Sequence, residues 1–183
     1  MKRNELLNKL SYVVSPTKQV RMIIHTDAKN EADDQFAIMH HLLTPYVDVR
    51  GIIAAHFEAK YDDSSPEKGT SMEQSYKEIV KILSLAKIDD IPVYKGAVCP
   101  LQDDSALPQS EGAEFIIREA LRDDSRPLYI ALMGGVTDLA IACLTCPEIE
   151  ERIHAIWIGG GSYPAGGSEF NLLQDIKAAN HLF

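Results

Sequence analysis

The chain alternates short apolar runs with longer stretches of helical periodicity. The runs cover residues 20–25, 49–55, 91–94, 128–133 and 155–158. Runs this short and this apolar predict strands buried on both faces. Between them, apolar residues recur at intervals of three and four. Residues 33–43 carry Phe36, Ile38, Met39, Leu42 and Leu43, and residues 71–85 carry Ile79, Ile82 and Leu83. Residues 111–121 and 137–144 follow the same spacing. Pro45 and Pro147 stop two of these helices, because proline has no amide and pushes its predecessor out of the helical region. Strand alternating with helix calls for right-handed crossovers. The predicted class is α/β: a Rossmann-like, mostly parallel sheet with helices on both faces.

In such sheets, ligands bind beyond the carboxyl ends of the strands. The residues there are polar or small. Thr26-Asp27-Ala28-Lys29-Asn30-Glu31-Ala32-Asp33-Asp34 follows the first run, and His56-Phe57-Glu58 the second. Gly96, Gly134-Gly135 and Gly159-Gly160-Gly161 follow the others. Glycines let a backbone approach a ligand closely, and they also make tight turns.

The loop from Asp27 to Asp34 holds four carboxylates and one lysine. Asp33 and Asp34 open a predicted helix, where free amides and the dipole favour carboxylates. That explains one or two of them. It does not explain Asp27, which arrives at the same point from a strand end. Carboxylates brought together repel one another unless a cation sits among them. Oxygen ligands select a hard cation, Ca²⁺ or Mg²⁺. Asp62-Asp63, Asp89-Asp90, Asp103-Asp104 and Asp123-Asp124 lie away from strand ends and read as solvated surface charge.

Composition narrows the field. The chain has 183 residues, 45% of them hydrophobic, which suits a single domain over 1–183 and excludes a disordered chain. Lys plus Arg number 18 and Asp plus Glu 27, a formal charge of −9. That balance argues against nucleic-acid and anionic-membrane partners. No apolar run approaches the roughly 18 residues of a membrane span, and residues 1–10 lack a signal-peptide core. Cys99, Cys143 and Cys146 form no disulfide framework, which suits reduced thiols in a cytoplasm. Cys143-x-x-Cys146 has no second cysteine pair and reads as part of a helix end rather than a zinc site.

Three segments, in order, carry a resemblance. His25-Thr26-Asp27, then Asp33-Asp34-Gln35-Phe36-Ala37-Ile38, resembles the Asp-x-Asp-Pro-Gly-x-Asp-Asp-Ala signature of the inosine-uridine-preferring nucleoside hydrolases. Met133-Gly134-Gly135-Val136-Thr137-Asp138-Leu139-Ala140 resembles that family's Gly-Leu-Thr-Asn-Leu-Ala segment. Gly159-Gly160-Gly161, Glu169-Phe170-Asn171 and Asp175 resemble its Met-Gly-Gly, Glu-Phe-Asn and Asp-Pro-Glu-Ala-Ala segments.

The resemblance implies hydrolysis of the N-glycosidic bond of a small-molecule ribonucleoside to ribose and free base, through an oxocarbenium-like transition state. It implies one Ca²⁺ (Mg²⁺ is the lesser candidate) that holds and acidifies the attacking water. It places Asp27, Asp34 and the backbone carbonyl of Met133 on the metal, with Asp27 as the base. Asp33, Glu169 and Asn171 would hold the ribose hydroxyls. It also implies a homo-oligomer, a dimer or a tetramer. The departures are informative. His25 stands where the family has an Asp, and five residues rather than three separate Asp27 from Asp33. The longer loop can bring Asn30 or Glu31 into the site. His56 or Glu58 stands near the position of an expected Asn, which makes His56 a substrate-contact candidate. The chain is expected to be the N-terminal part of a larger nucleoside hydrolase-like domain, whose remainder would carry a further Asp ligand and a His.

Other candidates are weaker. His40 and His41 point about 100° apart on a helix and cannot chelate one ion together. Trp157 reads as core and Tyr163 as a base-stacking candidate beside the pocket. Two alternative functions compete: a catalytically silent ribose- or nucleoside-binding or interaction protein, and a metal-dependent phosphohydrolase using the same carboxylates. The second lacks an Asp-x-Asp nucleophile motif and a phosphate-gripping lysine motif.

Overall fold

The computed structural model describes residues 1–10, 12–58, 66–102 and 106–183. The acidic pairs at 62–63 and 103–104 lie outside them. Each apolar run becomes a strand: β1 (Val20–Thr26), β2 (Val47–Ala54), β3 (Val93–Lys95), β4 (Leu128–Leu132) and β5 (Ile153–Trp157). They form one sheet in the order β3-β2-β1-β4-β5, parallel at every pairing. The helices are α1 (Arg3–Leu7), α2 (Asp33–Leu43), α3 (Ser71–Leu85), α4 (Glu111–Ala120), α5 (Thr137–Thr145), α6 (Phe170–Gln174) and α7 (Ile176–Leu182).

The central strand explains the layering. Side chains alternate along β1. Ile23 enters a core with Phe115 and Ile116 of α4 and Leu139 of α5. Met22 and Ile24 enter the opposite core with Ile38 and Leu42 of α2 and Ile79 and Leu83 of α3. Helices therefore cover both faces, as the alternation predicts. The chain winds outward from β1 to β3, then returns to place β4 on the other side of β1. The strand order thus reverses between β1 and β4, where such sheets open a crevice.

Three expectations are corrected. Phe36 and Leu43 do not share the buried stripe of α2: they are 78% and 42% exposed, whereas Ile38 and Leu42 are fully buried. At 100° per residue, both point well away from the packed face. The strand at β5 is not buried on both faces, since Ala155 and Ile156 are exposed. It lies at the sheet edge and pairs with β4. Trp157 is accordingly only half-buried, stacking on Phe183 with centroids 5.1 Å apart. Asp124 is not free surface charge: Arg126 approaches it at 2.7 Å and Arg21 at 3.8 Å.

Helix α1 was not foreseen. It carries Arg3, 5% exposed, whose guanidinium donates to the carbonyls of Leu42, Thr44 and Val47 at 2.8–2.9 Å. The first two lie at the end of α2, where carbonyls lack helical partners, and the third at the start of β2. Among the described residues, no helix is long and apolar enough to cross a membrane.

The α2 register makes a direct test. Ile38→Ala should lower unfolding free energy by about 2–5 kcal/mol, and Phe36→Ala by no more than about 0.5 kcal/mol, in urea titrations. Equal losses would mean that α2 packs through a different face.

Candidate active site

The site grows from the end of β1. The strand delivers Asp27, 2% exposed, to the carboxyl edge of the sheet. The loop 28–32 then returns the chain to α2, whose first turn carries Asp33 and Asp34. Two bonds shape this return: the Asn30 amide donates to the Asp27 carbonyl at 2.8 Å, and Gln35 Nε2 to the Ala28 carbonyl at 2.9 Å. Asp34 is buried and accepts the Thr26 hydroxyl at 2.7 Å, whereas Asp33 is exposed at the rim. From the other side of the switch point, Gly134 follows β4 directly against Asp27. A Cβ there would lie 2.9 Å from the Asp27 carboxyl carbon, so only glycine lets the two chains approach this closely.

These residues line one cavity of about 250 Å³. Its lining comprises Asp27, Asn30, Glu31, Asp33 and Asp34 with Ala37, Met133 after β4, and Ile158, Glu169, Phe170 and Asn171. The structure therefore brings together every expected site residue except His56. Glu169 is positioned as the cap of α6, its two oxygens accepting the amides of Asn171 and Leu172 at 2.9 and 3.0 Å. Asn171 Nδ2 donates to the Ile158 carbonyl at 2.8 Å. Tyr163, 98% exposed, does not line the cavity.

The electrostatics of the pair are severe. Burial, then the charge of Asp34, pushes the Asp27 carboxyl up to about 8. Burial raises Asp34 to about 6, against the opposing hydrogen bond from Thr26. Asp27 Oδ2 is buried and accepts no hydrogen bond. A buried carboxylate oxygen without a donor is costly, and a cation would relieve both that cost and the repulsion. The donor set fits a hard cation in part: two buried carboxylates, with Met133 in the same cavity lining. Among the described residues, no group of three or more His, Cys, Asp or Glu side chains is placed to hold a metal ion. Any further ligands would be carbonyl, water or substrate oxygens, which hard cations accept.

His56 lies behind the site. It is 1% exposed, and its Nε2 meets Thr137 Oγ1 at 2.8 Å. The Thr137 hydroxyl gives its proton to Asp175 Oδ2 at 2.7 Å, so His56 Nε2 must be the donor. Burial favours the neutral ring by lowering its pKa. A second buried pair stands beside this chain: His25 Nε2 meets Asp138 Oδ2 at 2.7 Å. Asp138 also accepts the Ala97 amide at 2.7 Å and the Ser110 hydroxyl. Burial opposes its charge, yet these donors hold it below the ordinary carboxylate range. A Cβ at Gly96 would fall 2.4 Å from Asp138 Oδ2. Asp138 thus ties the ends of β1 and β3 to the start of α5. Sequence spacing gave no sign of this pair, whose members are 113 residues apart. Both residues do stand at departures from the motif patterns.

A larger hollow, about 390 Å³, opens around Arg3, Asp48, Arg50, Glu119 and Arg122. Its charges answer one another, with Arg50 and Arg122 both on Glu119 at 3.2 and 2.8 Å. The carboxylate cavity is the better site, because its charges have no such partners.

Comparison with known proteins defines the lineage. The model of the inosine-uridine preferring nucleoside hydrolases matches residues 22–183, and the chain belongs to that family. The pyrimidine-specific ribonucleoside hydrolase RihA of Salmonella dublin is 28% identical over 176 residues, covering 82% of this chain and 53% of that protein. The purine-preferring ribonucleoside hydrolase from Gardnerella vaginalis superposes with a TM-score of 0.69 at 22% identity, over 88% of this chain and 57% of that one. A plant nucleoside hydrolase, PpNRh1, gives 0.66 at 19% identity, over 89% and 56%. The chain spans about half the length of the curated relatives it matches.

Two measurements follow. Asp27 titrates near 8 in the native state and near its ordinary 3.8 when unfolded. The native state therefore binds the extra proton between these values, and stability falls as pH rises through that window. Without divalent ions, Tm should drop between pH 5 and pH 8.5, as read by scanning calorimetry. Millimolar Ca²⁺ should restore it at the upper end, and Asp27→Asn should flatten the profile. A flat wild-type profile would contradict the burial of this pair. Second, Asp138→Ala leaves His25, the Ala97 amide and the Ser110 hydroxyl without their buried partner and should cost about 3–5 kcal/mol. The His25→Ala, Asp138→Ala cycle should return a coupling of about 0.5–3 kcal/mol; a coupling of zero would mean the contact is not formed.

Proposed function

We propose that the chain supplies the ribose-binding and water-activating part of an N-ribohydrolase site, acting on ribonucleosides. One observation supports this: the buried Asp27, whose Oδ2 has no hydrogen-bond partner, lines a single cavity with Asp34, Glu169 and Asn171. Asp27, Asp34 and the Met133 carbonyl would hold Ca²⁺, which when bound supplies an acidified water and a grip on the ribose diol. Asp27, ionised beside the cation, would accept the proton of the attacking water. Glu169 and Asp33 accept hydrogen bonds from ribose hydroxyls, and the Asn171 amide completes the diol contact. The carboxylates around the sugar favour the positive charge that develops at C1′ as the glycosidic bond breaks. Membership of the family supports this reading. We further propose a homo-oligomer, as the resemblance implies, and a cytoplasmic setting, which the unpaired cysteines suit.

The phosphohydrolase reading fares worse. The cavity is lined by no Lys, Arg or His among the described residues, so nothing there complements a phosphate.

The test is release of reducing sugar from inosine and uridine with Ca²⁺ present. Asp27→Asn should lose about 10²–10⁴-fold in kcat, the usual worth of a positioned base. Equal activity in the variant would overturn the role of Asp27. Binding of ribose by calorimetry without any turnover would favour the silent binding protein.

A further inference from the structure

Met133 would serve an ion through its backbone carbonyl, so its worth depends on how the turn after β4 is held. That turn continues as Gly134-Gly135, and glycine leaves a backbone wide freedom. Two bonds limit it. The Met133 amide donates to the His25 carbonyl at 2.9 Å. One peptide further on, the indole Nε1 of Trp157 donates to the Gly134 carbonyl at 3.0 Å. The Met133 carbonyl lies in the chain between these two fixed points. The same turn packs Gly134 against the Asp27 carboxyl.

Trp157, the chain's single tryptophan, is itself held in place. Its ring lies back over its own loop, where a Cβ at Gly159 would fall 2.2 Å from it. It stacks on Phe183 with the two planes 11° apart. The residues that follow reach other side chains of the cavity. The Ile158 carbonyl accepts Asn171 Nδ2 at 2.8 Å, and the Gly160 amide donates to Glu169 Oε2 at 3.1 Å. Residues 157–160 therefore tie the Met133 turn to Glu169 and Asn171. A phenyl ring would cover the same surface, but only the indole N–H reaches Gly134. That group donates and carries no charge, so it fixes a carbonyl without competing for a cation.

We infer that Trp157 is a positioning residue for the divalent ion: through Gly134 it fixes the turn that presents the Met133 carbonyl, and it registers that turn with Glu169 and Asn171. The inference rests on the reading above that Asp27, Asp34 and the Met133 carbonyl hold Ca²⁺, and extends it to a side chain one shell further out.

Calcium titrations of the chain test it, followed by calorimetry and by indole emission. In the wild type, Ca²⁺ should change Trp157 emission with the same midpoint that calorimetry gives. Asp27→Asn should abolish both signals. Trp157→Phe keeps a ring and removes the donor, and should weaken Ca²⁺ binding about tenfold. Its Tm without Ca²⁺ should stay within about 4 °C of the wild type. Gly159→Ala keeps the donor but displaces the ring, and should weaken Ca²⁺ binding in the same direction. A tryptophan needed only for packing gives the reverse pattern, a lower Tm with unchanged Ca²⁺ affinity in both variants. That result would overturn the inference and leave the calcium reading standing, as would Ca²⁺ binding by the wild type with no change in emission. No Ca²⁺ binding by the wild type would overturn both.

Discussion

The structure turns on two carboxylates that burial and proximity hold together at the end of the central strand. Asp27 and Asp34 are 2% and 6% exposed, and one oxygen of Asp27 has no donor. Such a pair is unfavourable for folding alone, because burial raises the cost of both charges and Asp34 adds to that of Asp27. The rest of the chain positions it nonetheless. Parallel pairing on both sides fixes β1, α2 begins where its first turn places Asp34 against Thr26, and a glycine after β4 leaves room for Asp27. Local stability is given up at the point where a site needs unsatisfied acceptors.

The layer beneath has the opposite character. Its buried polar groups are largely satisfied: Asp138 by His25, Ala97 and Ser110, and Asp175 by Thr137, Leu101 and Ala178. These bonds cross from β1 to the loop after β3 and from α5 to α7. Satisfied networks in a low-dielectric interior are stiff. Asp27 and Asp138 are both buried, yet one is pushed towards protonation and the other held ionised, because only the second is supplied with donors.

Much of this was legible in the chain. Helical spacing gave the bounds of α2 and α3, since Pro45 and the polar flanks punctuate them. The polar residues after each apolar run marked the correct edge of the sheet, and Asp27, Asn30, Asp33, Asp34, Met133, Glu169 and Asn171 do meet there. What escaped was decided by long-range contacts. His56 follows β2 at the right edge but is drawn under the surface by Thr137, which no local pattern announces. Arg3 has meaning only once α1 folds back onto the end of α2. Hydrophobic periodicity could not tell an edge strand from a central one, so β5 and Trp157 were read as more buried than they are.

The central claim is that the free oxygen of Asp27 belongs to a cation. A crystal structure of the protein with Ca²⁺, its anomalous signal recorded, tests this most directly. The account predicts a single strong peak in the carboxylate cavity, about 2.3–2.6 Å from Asp27 Oδ2 and from an Asp34 oxygen. An empty cavity in a crystal saturated with calcium, with Asp27 Oδ2 hydrogen-bonded to Asp34 through a retained proton, would contradict it.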